Sequence, residues 1–210
     1  MKRIFPLLFI LLYVGCNKSY DDYFRLEKRG NLFYLKGEKE PYTGYCEGYY
    51  DNNVRAITAD FVEGKRHGKG AAWYTNGVKE YEGSYKNGCR NGIFRGWYEN
   101  GQIAVEKEYK MDNLDGNWQF WYKNGITKEI GKYVNNLREG KWLWWYDNGT
   151  KWIESEFVED KSHGLWQMWH KNGKLKEKGF YKYGEKAGIW VYFDVNGDTL
   201  SSESFVSEFD

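Results

Sequence analysis

The chain has 210 residues, of which 41% are hydrophobic and 20% aromatic, yet its mean hydropathy of −0.84 indicates that most positions face water. This combination is typical of a thin, extended fold rather than a globule. The formal net charge of +1 gives no electrostatic attraction for nucleic acid or for an anionic membrane surface, so both are excluded as charge-driven partners.

Residues 1–16 predict an export signal. Two basic residues precede an apolar run from Ile4 to Val14, which is shorter than the ~20 residues that a membrane-spanning helix needs. The run ends at Gly15-Cys16, which resembles the lipobox of bacterial lipoproteins, where the Cys is diacylated and becomes the mature N-terminus. The resemblance implies lipidation of Cys16 and a lipid-anchored location in the cell envelope, at the outer membrane on its periplasmic or surface face. The alternative is an ordinary cleaved signal peptide.

Residues 17–43 predict a linker followed by an irregular capping unit, in which Leu32–Leu35 forms a short strand. A first unit that departs from the repeat pattern is expected, because the end of a stack must not present a bare sheet edge.

Residues 44–210 consist of seven units with a fixed period of 24 residues, and such a period indicates a repeat array. The units begin at Gly44, Gly68, Gly92, Gly116, Gly140, Gly164 and Gly188. Each unit has two aromatic-rich halves separated by Asn-Gly, which predicts a β-hairpin with a two-residue type I′ turn. The predicted fold is therefore all-β, an elongated antiparallel meander of about seven hairpin repeats.

The parity of the aromatic positions divides the predicted sheet into two faces. The large residue two positions after each opening Gly is expected to pair with a smaller neighbour and to form the core face; those neighbours are Gly83, Lys107, Gly131, Ser155 and Gly179. The Trp five positions after the Gly has the opposite parity and is expected on a polar face, as a row formed by Trp73, Trp97, Trp121, Trp145 and Trp169. Alternatively, a β-bulge between the two positions would place both rings on one face.

No catalytic or metal-binding constellation is visible in the sequence. His67 and His163 occupy the same position, expected to be a turn, four units apart, which forbids a shared metal. Cys46 and Cys89 are expected roughly 19 Å apart, too far for a disulfide, so both are predicted to be free thiols. We therefore expect no enzymatic activity and no cofactor.

Two segments, residues 61–70 and 81–92, resemble MORN repeats, with their alternating Gly, aromatic and Asn or His positions. The Trp-Tyr-x-Asn-Gly half of each unit is similar to the bacterial MORN variant of YwqK-type antitoxins. The resemblance implies a non-enzymatic scaffold with a protein partner, in its most concrete form an immunity-type lipoprotein that neutralises a toxin in the envelope.

Three functional hypotheses follow. In the first, the five Trp of the polar face bind a protein partner, since aromatic residues dominate binding energy at interfaces. In the second, the same rings, repeated about every 10 Å, stack on a glycan. In the third, the aromatic core face drives self-association, for example as a homodimer.

Overall fold

A computed structural model describes residues 23–206, so the predicted export signal and Cys16 lie outside the described residues. Within this range one 3-10 turn, Tyr23–Arg25, precedes an arrangement built entirely of strands. Residues 23–206 contain no helix with the length and apolarity that crossing a membrane would require.

All strands pair antiparallel with neighbours along the chain. A small hairpin comes first, formed by β1 (Leu26–Arg29) and β2 (Leu32–Leu35). The main sheet contains β3 (Gly44–Tyr49), β4 (Arg55–Val62), β5 (Lys65–Trp73), β6 (Lys79–Lys86), β7 (Cys89–Arg90), β8 (Gly92–Trp97), β9 (Ile103–Lys110), β10 (Asn113–Trp121), β11 (Thr127–Val134), β12 (Leu137–Trp145), β13 (Lys151–Val158), β14 (Lys161–Trp169), β15 (Leu175–Lys182), β16 (Glu185–Phe193) and β17 (Thr199–Phe205). The spatial order follows the chain from β3 to β17, with the short β7 pairing only with β6. The predicted antiparallel meander of seven hairpins is confirmed.

The Asn-Gly turn differs from the prediction. In the second hairpin the Tyr74 amide donates to the Val78 carbonyl (2.8 Å) and the Gly77 amide donates to the Tyr74 carbonyl (2.9 Å), so the loop has three residues. Gly77 is left-handed, with φ of 83°, whereas Asn76 is not. The predicted type I′ turn is therefore wrong here; the loop is a three-residue turn with a left-handed third position.

Type I′ geometry is found instead at the connections between hairpins. Val158 pairs with Lys161, and both intervening residues, Glu159 and Asp160, have positive φ. The same pattern recurs at Met111-Asp112 and at Asn135-Asn136. The Asp160 amide donates to the carbonyl of Arg138 (3.0 Å), the second residue of β12. Asn and Asp adopt this left-handed conformation readily, whereas Glu159 and Met111 are residue types that rarely do so, and the contact from the neighbouring unit supports the turn that contains Glu159.

A β-bulge compensates for the extra loop residue. Trp73 pairs with Lys79 but Ala72 pairs with Tyr81, so Glu80 is the bulged residue of the second strand. Beyond the bulge the register is the one predicted for a two-residue turn, and Gly68 lies opposite Tyr85. Because the bulge lies in the second strand and not between the two rings of the first, it does not bring both rings to one face.

The core face is a continuous row of rings. The Tyr133 ring lies 5.1 Å from both Trp118 and Trp142, and Trp142 is only 2% exposed. Trp142 lies over Gly131, so that a methyl group added there would overlap the ring. The backbone of Gly131 pairs with Trp118 of the preceding strand, as predicted. The ring that packs over Gly131, however, is that of Trp142 in the following strand.

Residues 23–42 pack against the first hairpin. Phe33 and Tyr42 lie 5.2 and 5.8 Å from the ring of Phe61, which is 2% exposed. The Gly64 amide donates to the Tyr42 carbonyl (2.7 Å). This irregular segment covers the aromatic face where the array begins.

Candidate partner-binding face

The five predicted Trp share one face of the sheet, opposite the aromatic core face, and all are half-buried. They alternate with residues of the following strands in a straight line across the sheet, which we call the Trp row. The Trp row comprises Tyr49, Arg55, Trp73, Lys79, Trp97, Ile103, Trp121, Thr127, Trp145, Lys151, Trp169, Leu175, Phe193 and Thr199.

A second line of residues, the middle row, runs beside the Trp row. Its members are cross-strand partners from one end of the sheet to the other: Glu47, Thr58, Ala71, Glu82, Arg95, Glu106, Gln119, Ile130, Leu143, Glu154, Gln167, Lys178, Val191 and Ser202. Beyond the middle row, pairs such as Lys69 with Ser84 and Lys141 with Glu156 form a third line, the outer row. These three rows make up the polar face.

Cations cover three of the five Trp rings. Arg55 lies over Trp73 at 5.4 Å, Lys79 over Trp97 at 5.3 Å and Lys151 over Trp169 at 5.0 Å from the ring centroids. In each case the cation comes from the Trp row of the preceding hairpin. The equivalent residues before Trp121 and Trp145 are Ile103 and Thr127, and within residues 23–206 no cation lies over these two rings.

Two ion-pair clusters flank the centre of the face. On the N-terminal side Lys79 contacts Glu82 (2.7 Å), and Arg95 bridges Glu82 (3.7 Å) and Glu106 (2.7 Å). On the C-terminal side Lys141 and Lys151 both contact the carboxylate of Glu154, the latter at 2.7 Å. Partial burial would raise the pKa of Glu154, but hydrogen bonds from the two ammonium groups hold that pKa below its ordinary value.

Between the clusters lies a set of uncharged side chains, which we call the uncharged patch. It combines the middle-row residues Gln119, Ile130 and Leu143 with the Trp-row residues Ile103, Trp121, Thr127 and Trp145, all half-buried. An apolar centre with a charged rim is the usual anatomy of a protein interface. The sequence analysis predicted that these Trp lie on the polar face, but it did not identify the uncharged patch.

Hydrogen bonds from Tyr and Asn side chains to backbone carbonyls of the next unit hold the Trp row in place. The Tyr98 hydroxyl donates to the Trp121 carbonyl (2.7 Å) and the Tyr122 hydroxyl donates to the Trp145 carbonyl (2.8 Å). The Asn124 side chain donates to the Asp147 carbonyl of the next turn (2.8 Å). Equivalent bonds join each unit to the one that follows it. The Tyr and Asn of Trp-Tyr-x-Asn-Gly therefore fix the backbone that carries the next Trp.

A hollow of about 480 Å³ lies on the polar face at the N-terminal side of the first ion-pair cluster. Its floor is formed by Gly70, Ala71 and Gly83, and Glu82 and Arg95 stand at its side. The hollow exists because small residues occupy positions where later units have Gln119 or Leu143.

The remaining candidate groups are not assembled into a reactive site. No cluster of metal-ligating residues occurs in the described part of the chain. His67 and His163 lie in β5 and β14 rather than in turns, so their predicted placement is wrong; His163 packs on the ring of Tyr183 at 4.7 Å. Cys46 is buried, where its thiol donates to the Ala59 carbonyl (3.5 Å), and Cys89 is half-buried; neither forms a disulfide within residues 23–206, and a hydrogen bond to Asp112 raises the pKa of the Cys89 thiol.

Comparison with protein families identifies the repeat. A family model described as "MORN repeat variant" matches residues 66–87, 90–111, 114–135, 138–159 and 162–183, which together make up just over half of the chain. Each match contains one strand, its Asn-Gly turn and the returning strand. No match was found among curated proteins. The family is generally a non-catalytic repeat scaffold.

Proposed function

The chain belongs to the MORN repeat variant family, and on that premise we propose that it is a non-enzymatic scaffold that binds a protein partner over the uncharged patch. The proposal rests on one observation: in the described part of the chain, the Trp rings that no cation covers lie next to the part of the middle row that has no charged residue. The only two Trp of the row without a covering cation, Trp121 and Trp145, lie beside the uncharged stretch of the middle row. Aromatic residues at the centre of a desolvated patch are the usual hot spots of an interface.

The covering cations also bear on the glycan hypothesis. Sugar stacking requires open ring faces at a regular spacing, but Trp73, Trp97 and Trp169 each carry a cation on the ring. Two uncovered rings remain, which is too few for the repeated ladder that this hypothesis assumed. A protein partner, which needs a compact centre rather than a long ladder, fits the arrangement better.

Self-association through the core face stays a prediction. Its rings pack on one another and under cations; Arg90 lies over Tyr109 and Arg138 over Phe157, both at 4.0 Å. Coverage by the chain's own residues lowers the need for a second copy.

Lipid anchoring at Cys16 and an antitoxin role complete the proposal. The lipobox resemblance supports an envelope location, and the antitoxin resemblance supports a toxin as the partner. In this version the anchor holds the sheet at the membrane surface, where it would meet a toxin as it arrives. Metabolic labelling with a palmitate analogue should mark the wild-type protein and not a Cys16→Ala variant; equal labelling would exclude the anchor.

The binding test compares matched pairs of Trp. Affinity capture from envelope extract, followed by quantitative mass spectrometry, is carried out with wild type, with Trp121→Ala plus Trp145→Ala, and with Trp73→Ala plus Trp169→Ala. We expect the first pair to remove a protein that the second pair retains, with circular dichroism confirming that both variants are folded. Recovery of the same proteins by all three would refute the proposed site.

A further inference from the structure

The charges on either side of the uncharged patch are unequal. On strands β4–β9 the three rows of the polar face carry four cations and four carboxylates: Arg55, Lys69, Lys79 and Arg95 against Asp60, Glu82, Glu106 and Glu108. On strands β10–β15 the same rows carry four cations and two carboxylates: Lys132, Lys141, Lys151 and Lys178 against Glu154 and Glu156. Strands β4–β9 are therefore balanced in charge, and β3 adds one carboxylate, Glu47, which contacts Arg55 (3.5 Å), whereas strands β10–β15 are positive.

The positive side also has unused binding capacity. Lys141 and Lys151 both form ion pairs with Glu154, and Glu156 lies opposite Lys141 in the neighbouring strand. Lys132 and Lys178 are exposed, and within residues 23–206 neither lies within ion-pair distance of a carboxylate. On the opposite side, both acids of the Arg95 cluster are already engaged.

We infer that the partner is a protein segment that places an apolar anchor on the uncharged patch and acidic side chains on Lys132, Lys141, Lys151 and Lys178. This inference rests on the proposed function and names the chemistry of the partner. Apolar contact at the patch supplies most of the affinity, because within residues 23–206 neither Trp121 nor Trp145 has a cation over its ring, although Lys151 pairs with Trp145 at the edge of the patch. Carboxylates at the lysines fix the orientation and speed the encounter, since complementary charges at a rim act mainly on specificity and association rate.

The charge asymmetry distinguishes this partner from its alternatives. A basic segment would meet repulsion at the four lysines. On the other side Glu82 and Glu106 are held by Lys79 and Arg95, and Asp60 and Glu108 accept hydrogen bonds from the backbone amides of Lys69 (3.0 Å) and Asn117 (3.2 Å). A neutral segment would leave Lys132 and Lys178 without a carboxylate, although Lys178 lies over the ring of Phe193 at 6.0 Å, and could lie across the patch in either direction. An acidic polysaccharide would satisfy the lysines but would have no use for Ile130 and Leu143.

The test uses a random 12-residue peptide library displayed on phage and selected against the full chain. We expect enriched peptides to combine apolar residues with Asp or Glu. For a synthetic copy of the best peptide, Lys132→Gln plus Lys178→Gln should weaken binding about tenfold, whereas Lys69→Gln on the balanced side should change it less than about twofold. These exposed lysines hold no ion pair that the fold would lose, and raising the salt concentration should weaken wild-type binding.

The outcomes separate the inference from the proposed function. Peptides that lose binding in Trp121→Ala plus Trp145→Ala but carry no acids and ignore the lysine variants would overturn the inference alone. Peptides that ignore the Trp variants would overturn the proposed site as well. Tighter binding of polygalacturonate than of the best peptide, at equal carboxylate concentration, would replace the protein segment by a polysaccharide.

Discussion

Replacing Gly131 by Ala tests the packing on which the core face depends. The backbone of Gly131 is not left-handed, so Ala adds no conformational strain there. The new methyl group would overlap the ring of Trp142, which is 2% exposed and would have to shift to accommodate it. The effect on stability therefore reports the ring contact, offset by the about 0.4–1 kcal/mol that Ala gains over Gly by restricting the unfolded chain.

The expected loss can be bounded from the structure. Complete expulsion of the Trp142 ring would return about 200 Å² to water, or about 5 kcal/mol at about 25 cal/mol per Å². A shift of more than about 1 Å restores ordinary contact and keeps most of the burial, so we expect a loss of about 2 kcal/mol, typical of an overpacked core. For a chain of this length that corresponds to a fall in Tm of about 4–8 °C.

Guanidinium unfolding followed by Trp fluorescence measures the change, with Ser155→Ala as the matched control. Ser155 occupies the same position one unit later and already carries a Cβ, so its replacement should cost about 1 kcal/mol or less. In a Trp142→Ala background the Gly131→Ala change should cost almost nothing, because the ring that it displaces is gone. A loss for Gly131→Ala no larger than that of the control would refute the packing argument.

Three further predictions concern the turns and the rim of the polar face. Asn124→Ala removes the hydrogen bonds of the Asn124 side chain to the Asp147 carbonyl (2.8 Å) and from the Ile126 amide (3.1 Å), and it should cost about 1–2 kcal/mol of unfolding free energy in the same assay. Asn196→Ala, in the last turn, should cost much less, because the Asn196 side chain donates within its own turn. Met111→Gly should stabilise the protein by about 1 kcal/mol, because Met111 has φ of 50°. The pKa of Glu154 is lowered in the folded state, so the stability that its carboxylate contributes is present above about pH 4.3 and is lost as the pH falls through the folded pKa. The Tm of Glu154→Gln should therefore fall less steeply in acid than that of the wild type; an equal slope would contradict the role of this carboxylate.

Much of the fold could be predicted because a fixed period forces every unit to obey the same pairing. The register of Gly68 with Tyr85 was predicted from the Asn-Gly position alone, and the structure confirms it. The turn type could not be predicted, because a three-residue loop plus a bulge at Glu80 produces the same register as a two-residue loop. Sequence spacing cannot distinguish two local geometries that lead to the same pairing.

The candidate site could be predicted only in part. Parity placed Trp121 on the polar face, but the absence of a covering cation depends on Ile103, which belongs to the preceding hairpin. Recognising the uncharged patch requires the pairing between hairpins, such as Ile130 with Leu143, in addition to the pairing within each hairpin. The signal was available, since aligning the units by their opening Gly shows where the charged residues stop.

The ladder of Tyr and Asn side chains gives the array a direction. Each unit donates to the backbone of the unit after it and accepts from the unit before it, until Asp194 and Asn196 replace this forward donation by contacts within the last turn. A copy of one unit inserted in the interior would find matching donors and acceptors at both of its seams. A unit placed after β17 would face the carboxylate of Asp194, an acceptor, where earlier units offer a Tyr or His ring as donor, so internal duplication preserves the ladder better than a unit added after β17.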